Sequence, residues 1–109
     1  MKWYKVGSVG EVLPPISKVS VGGKKLCIVN YEGKLFALSA RCPHAGADLS
    51  EGWCENGKLI CPFHRYAYDL ETGRGNTGQN DFVPTYKVEI RNNEVYVGIP
   101  SFWDSLKGT

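Results

Sequence analysis

Both histidines of the chain stand beside a cysteine and a proline, in Cys42-Pro43-His44 and Cys61-Pro62-Phe63-His64, with sixteen residues between His44 and Cys61. Each short motif offers one soft and one borderline ligand. Thiolates bind iron and zinc strongly and neutral imidazole accepts either, so Cys42, His44, Cys61 and His64 can hold a metal centre used for redox chemistry or for structure. A structural zinc site ordinarily gathers close cysteine pairs followed by histidine pairs. Here each loop carries one of each. That split suits a two-iron cluster with both thiolates on one iron and both imidazoles on the other. Zinc as a nonredox staple remains the alternative.

The other two cysteines lack a neighbouring histidine. Cys27 lies in the apolar run Leu26-Cys27-Ile28-Val29 and reads as a core filler. Cys54, between Gly52 and Gly57, reads as an unligated side chain in a turn or short strand. The start, Met1-Lys2-Trp3-Tyr4-Lys5, has no apolar core of a signal peptide, and no apolar stretch reaches the length needed to span a bilayer. A cytoplasmic protein is expected, where cysteines serve more often as ligands or buried side chains than as disulfides. A net charge of +2 over 109 residues, with the basic residues scattered, argues against nucleic acid as the main partner.

The ligand loops must be held by a small body, and 109 residues allow one domain, 1–109. Short β-compatible runs at 3–6, 16–21, 25–30, 34–39, 58–60, 67–69, 86–91 and 94–99 are separated by Gly, Asn and Pro. Gly22-Gly23, Glu32-Gly33 and Asn92-Asn93 read as tight hairpin turns. No segment keeps an apolar stripe at helical spacing. The fold class expected is all-β, a small antiparallel barrel or sandwich, with single helical turns near 9–13 and 49–51. Residues 73–83 form a long polar loop expected to pack over something. The tail, residues 100–109, holds Phe102, Trp103 and Leu106 and reads as a packed extension.

At its four ligand candidates the sequence resembles the Rieske family, whose paired motifs are Cys-x-His and Cys-x2-His at a similar separation. The likeness continues through Gly46, Tyr68-Asp69, Thr72-Gly73 and Val83-Pro84-Thr85-Tyr86-Lys87-Val88. It implies an antiparallel Rieske-type domain with a cluster-binding part formed by the two loops, and one [2Fe-2S] cluster. Cys42 and Cys61 would hold the buried iron, His44 and His64 the outer one. Gly46, Phe63, Tyr68 and Pro84 would surround it. Phe63 is expected to shield the cluster, and Pro84 to belong to a third covering loop. Tyr68 resembles the family's tyrosine that donates to the sulfur of the first ligand cysteine, here Cys42. The high-potential members carry a serine where this chain has Tyr66, and a disulfide where it has Ala47 and Phe63. Fewer hydrogen bonds to sulfur imply a potential in the lower part of the Rieske range.

The resemblance implies a carrier rather than an enzyme. Oxygenases of the family need a further mononuclear iron held by two histidines and a carboxylate, and both histidines here belong to the cluster motifs. The expected function is a soluble one-electron carrier, most like the ferredoxin component of aromatic-ring-hydroxylating dioxygenase systems. It would act between an NAD(P)H-dependent flavin reductase and a terminal oxygenase, as a monomer that docks briefly. Arg41 and Arg65 flank the loops, either as a positive rim suited to an acidic partner or simply as solvated charges. The small subunit of an assimilatory NAD(P)H nitrite reductase, which shares this layout, is the second possibility.

Overall fold

The computed structural model describes residues 1–43, 46–63, 65–79 and 81–100. The two histidines and the tail residues Phe102, Trp103 and Leu106 lie outside the described residues. The strands are β1 (Lys2–Ser8), β2 (Ile16–Val21), β3 (Lys24–Tyr31), β4 (Lys34–Ser39), β5 (Trp53–Glu55), β6 (Lys58–Ile60), β7 (Ala67–Asp69), β8 (Thr85–Arg91) and β9 (Glu94–Ile99). They form one six-stranded sheet in the order β1-β9-β8-β4-β3-β2 and one three-stranded sheet, β5-β6-β7. All pairs are antiparallel, and the edge strands β1 and β2 approach each other, so the large sheet curls towards closure. Single 3-10 turns occupy Val9–Val12 and Leu49–Glu51.

Three expected hairpin turns are present, with both central residues at positive φ: 55° and 80° at Gly22-Gly23, 51° and 78° at Glu32-Gly33, 50° and 63° at Asn92-Asn93. That conformation matches the right-handed twist of the strands it joins. A fourth turn, Asn56-Gly57, joins β5 to β6. The turn and the bounds of β5 are not among the elements expected above, although Cys54 was expected in a turn or short strand.

The apolar run on β3 is a wall with a core on each side. Leu26 and Ile28 pack with Val95, Val97 and Ile99, inside the curl of the large sheet. Cys27 and Val29 face the other way, towards Cys42, Leu49, Leu59, Cys61 and Tyr68. Alternate side chains of a strand point to opposite faces, so burial on both produces an unbroken apolar run. A one-residue slip would exchange the contents of the two cores. Cys27 is fully buried and its thiol is pushed up to about 12 by that burial. It is the core filler expected. Cys54 is half-buried on β5 and packs against the second core.

The first ligand loop is anchored at its far end by Asp48. Its side chain caps the turn Leu49–Glu51 by accepting from the Ser50 amide at 3.0 Å and the Ser50 hydroxyl at 2.6 Å, and it pairs with Lys18 on β2. Burial pulls its pKa up, but Lys18 and Ser50 hold the carboxyl down at about 2 against an ordinary 3.8. A depressed carboxylate stabilises the fold above its unfolded value and loses that contribution as pH falls through the folded one. With screening at a partly exposed site, Asp48→Asn is expected to cost about 1 kcal/mol at pH 7. Denaturant unfolding should show the gap between wild type and variant intact above pH 5 and closing from pH 4 towards pH 2.

Candidate metal centre

Two loops meet over the second core, one between β4 and Leu49, the other between β6 and β7. Each is closed around its cysteine by the backbone. The Cys42 amide donates to the Ala47 carbonyl at 2.8 Å, and the Cys61 amide to the Tyr66 carbonyl at 2.7 Å. Short, proline-bearing segments cannot continue a sheet ladder, so they turn back on themselves and point the cysteine inward. Both cysteines are fully buried. Their thiols are close enough to act on each other electrostatically. Burial pushes the Cys61 thiol up, the Phe63 amide donating to its sulfur pulls it down, and Cys42 beside it pushes it up again. Two buried sulfurs brought together from separate loops, with a backbone donor on one and a tyrosine hydroxyl beside the other, fit the thiolate half of a binuclear iron-sulfur cluster.

The surrounding candidates divide by what they touch. Gly46, at φ 66°, donates its amide to the Cys42 carbonyl at 2.9 Å and shapes the first loop. Phe63 acts on the site through its amide, since its side chain is 55% exposed. Pro84 is exposed and contributes a carbonyl to the Ser39 amide at 2.9 Å, whereas its neighbour Val83 is buried in the core cluster that holds both cysteines. The covering loop therefore uses the valine as its lid. Tyr68 is fully buried, with its hydroxyl 3.5 Å from Cys42 Sγ.

Comparison with known proteins agrees with this arrangement. The Rieske [2Fe-2S] domain family matches residues 2–87. The chain belongs to the Rieske family. A relative is the ferredoxin component of the naphthalene 1,2-dioxygenase system of Pseudomonas putida, 30% identical over 103 residues, covering 91% of this chain and 97% of the relative. Among solved structures, a complex of reduced oxygenase and oxidised ferredoxin in carbazole 1,9a-dioxygenase aligns with a TM-score of 0.79 at 30% identity, covering 88% of this chain and 92% of the other. A putative NADH-dependent nitrite reductase small subunit from Mycobacterium tuberculosis aligns at 0.83, covering 92% and 96%, with 18% identity, a likeness of fold alone. Family membership replaces the zinc staple with one [2Fe-2S] cluster and bears out the antiparallel Rieske-type fold.

In this Rieske domain the third loop holds what the sequence reading missed. Residues 73–79 and 81–83 fold back along β7: Gly73 donates to the Asp69 carbonyl at 2.7 Å, Asn76 to the Ala67 carbonyl at 3.1 Å and Val83 to the Gly73 carbonyl at 2.7 Å. The fold-back brings Asp81 to the buried Tyr68, whose hydroxyl donates to Asp81 Oδ2 at 2.8 Å. The tyrosine stands beside Cys42 as the resemblance implies, and its shorter contact is the bond that it donates to the Asp81 carboxylate. Burial first, then the contacts with Cys42 and Asp81, push the Tyr68 pKa up. The available signal was a carboxylate and an amide, Asp81 and Gln79, in a loop expected to cover a cluster.

The positive rim is one-sided among the described residues. Arg41 is exposed beside the first loop and lines a groove with Lys24, Lys25 and Pro84. Arg65 instead stacks 5.4 Å from the Trp53 ring centroid, and its guanidinium is 3.8 Å from Glu55. Trp53 Nε1 donates to the same Glu55 at 2.6 Å. Arg65, at φ 57°, therefore braces the second loop against β5 and presents less uncompensated charge than expected.

Proposed function

We propose that this chain is a one-electron carrier whose [2Fe-2S] cluster is held by Cys42, His44, Cys61 and His64, and that it takes electrons from an NAD(P)H-dependent flavin reductase and delivers them to a terminal oxygenase. The observation that carries this reading is the pairing of the two buried cysteines on opposed loops in a chain 30% identical to a dioxygenase ferredoxin. The cluster supplies one-electron exchange at a potential above that of four-cysteine ferredoxins, because neutral imidazoles replace two thiolates. The chain's own residues hold and seal it. Cys42 and Cys61 bind as thiolates, the Phe63 amide stabilises one of them, and Leu49, Leu59, Leu70 and Val83 keep water from the sulfurs.

Residues 1–109 act as one domain without a substrate site, in the cytoplasm, as a monomer. No helix among the described residues is long and apolar enough to cross a membrane. Arg41, Lys24 and Lys25 steer an acidic partner towards the first loop, and docking is brief and small in area. Anaerobic stopped-flow mixing of the reduced protein with an oxidised aromatic-ring-hydroxylating oxygenase tests this. Rapid bleaching of the oxygenase, slowing steeply with added salt, is expected. Failure to reduce any such oxygenase, together with stable co-purification with a sirohaem subunit, would favour the nitrite reductase reading.

A further inference from the structure

The Tyr68 hydroxyl has one proton and stands between two acceptors. Its oxygen is 3.5 Å from Cys42 Sγ and 2.8 Å from Asp81 Oδ2. The shorter contact is a bond that Tyr68 donates and Asp81 accepts. A cysteine bound to iron is deprotonated and only accepts. The contact with Cys42 then becomes a hydrogen bond only if the tyrosine proton leaves Asp81.

Asp81 is fixed in that role by its own loop. Gln79 Nε2 donates to Asp81 Oδ1 at 3.1 Å, and Gln79 Oε1 accepts from the Ala67 amide at 3.1 Å. The Asp81 carbonyl accepts from the Gly75 amide at 3.0 Å. A Cβ at position 75 would fall 2.3 Å from Asp81 Oδ1 and 2.6 Å from Gln79 Nε2, so only glycine leaves room for the pair.

We propose that Asp81 is a positioning residue that withholds the Tyr68 proton from Cys42 and thereby lowers the reduction potential of the cluster. This rests on Cys42 being a ligand, as argued above. Donation to a ligand sulfur favours the electron-rich reduced state, so a donor turned away disfavours it. A hydrogen-bond donor is present beside the sulfur, and its direction rather than its presence sets the effect.

Asp81→Asn reverses that direction. Gln79 donates to Oδ1, so the asparagine keeps its oxygen there and offers Nδ2 to Tyr68, turning an acceptor into a donor. The tyrosine proton then points to Cys42. Redox titration of the purified holoprotein should show D81N shifted by about tenfold in the reduced-to-oxidised ratio at fixed poise, about 59 mV upward for one electron. Asp81→Leu, which removes the acceptor outright, should shift it the same way. Tyr68→Phe alone should change the ratio by less than about twofold, and D81N should shift far less in the Tyr68→Phe background than in the native one. A tenfold fall in Tyr68→Phe would overturn the proposal, because Tyr68 would already be donating to sulfur. Equal D81N shifts in both backgrounds would also overturn it, because the charge of Asp81 would then act alone. The ligand reading fails separately: Cys42→Ser with full iron content and an unchanged di-iron paramagnetic signal would remove the premise, whatever the potentials.

Discussion

Cys61→Ser is expected to yield a colourless protein with iron and acid-labile sulfide reduced by more than about a hundredfold, beyond the roughly 10- to 100-fold that losing a hydrogen-bond partner of a ligand ordinarily costs at metal sites. Cys61 is fully buried, its sulfur receives the Phe63 amide, and Cys42 lies beside it. A serine hydroxyl is a poor ligand for iron in this setting and becomes a buried polar group where the cluster is absent. Binding free energy is folding free energy at such a site, so the melting temperature should fall with the colour. Cys27→Ser provides the contrast. That thiol is equally buried in the same core but sits on β3 rather than on either loop, and its replacement should lower stability by about 1–2 kcal/mol while iron stays at two per chain. Iron analysis and thermal unfolding of the two variants separate a ligand from a core filler. Equal iron in both would sink the assignment of Cys61.

Gly73→Ala is expected to be the most destabilising single methyl group that can be added near the site. The new Cβ would lie 1.9 Å from the Val83 carbonyl oxygen and 2.9 Å from Thr85 Cγ2, at a φ of 76°. Backbone cannot yield as a flexible side chain does. The shift must break the 2.7 Å bond from the Val83 amide to the Gly73 carbonyl and disturb the buried Val83 in the core that holds the two cysteines. A loss of about 4 kcal/mol is expected, in the range reserved for overpacking and backbone strain together. Gly33→Ala isolates the strain, since it has φ 78° with nothing within 4 Å of the added carbon. It should cost about 1 kcal/mol, as a left-handed alanine does. Comparable melting temperatures for the two would show that the loop at Val83 adapts without cost.

Strand positions were legible where side chains alternate or a two-residue turn intervenes, and β2, β4, β6, β7 and β9 begin and end as the sequence suggests. β5 was not, because three residues between Gly52 and Asn56 give no periodicity, and its partner β6 supplies the reason for it to be a strand. That Cys42 and Cys61 would be brought together was legible, because ligand chemistry would call for those side chains at that spacing. Asp81 and Gln79 were not, because their role depends on a loop folding back by thirteen residues onto Tyr68, and polar residues in a glycine-rich loop look like ordinary solvation. Arg65 was read by charge alone, and its bond to Glu55 and stacking on Trp53 required knowing that β5 exists.

Because Leu26 and Ile28 belong to one interior and Cys27 and Val29 to the other, the strand that carries them is a partition whose two faces are editable separately. Repacking the even-numbered face should tune robustness while leaving the electron-bearing chamber as it is, and the odd-numbered face offers the reverse. An engineer seeking a hardier carrier would therefore work on the interior that holds neither Cys42 nor Cys61.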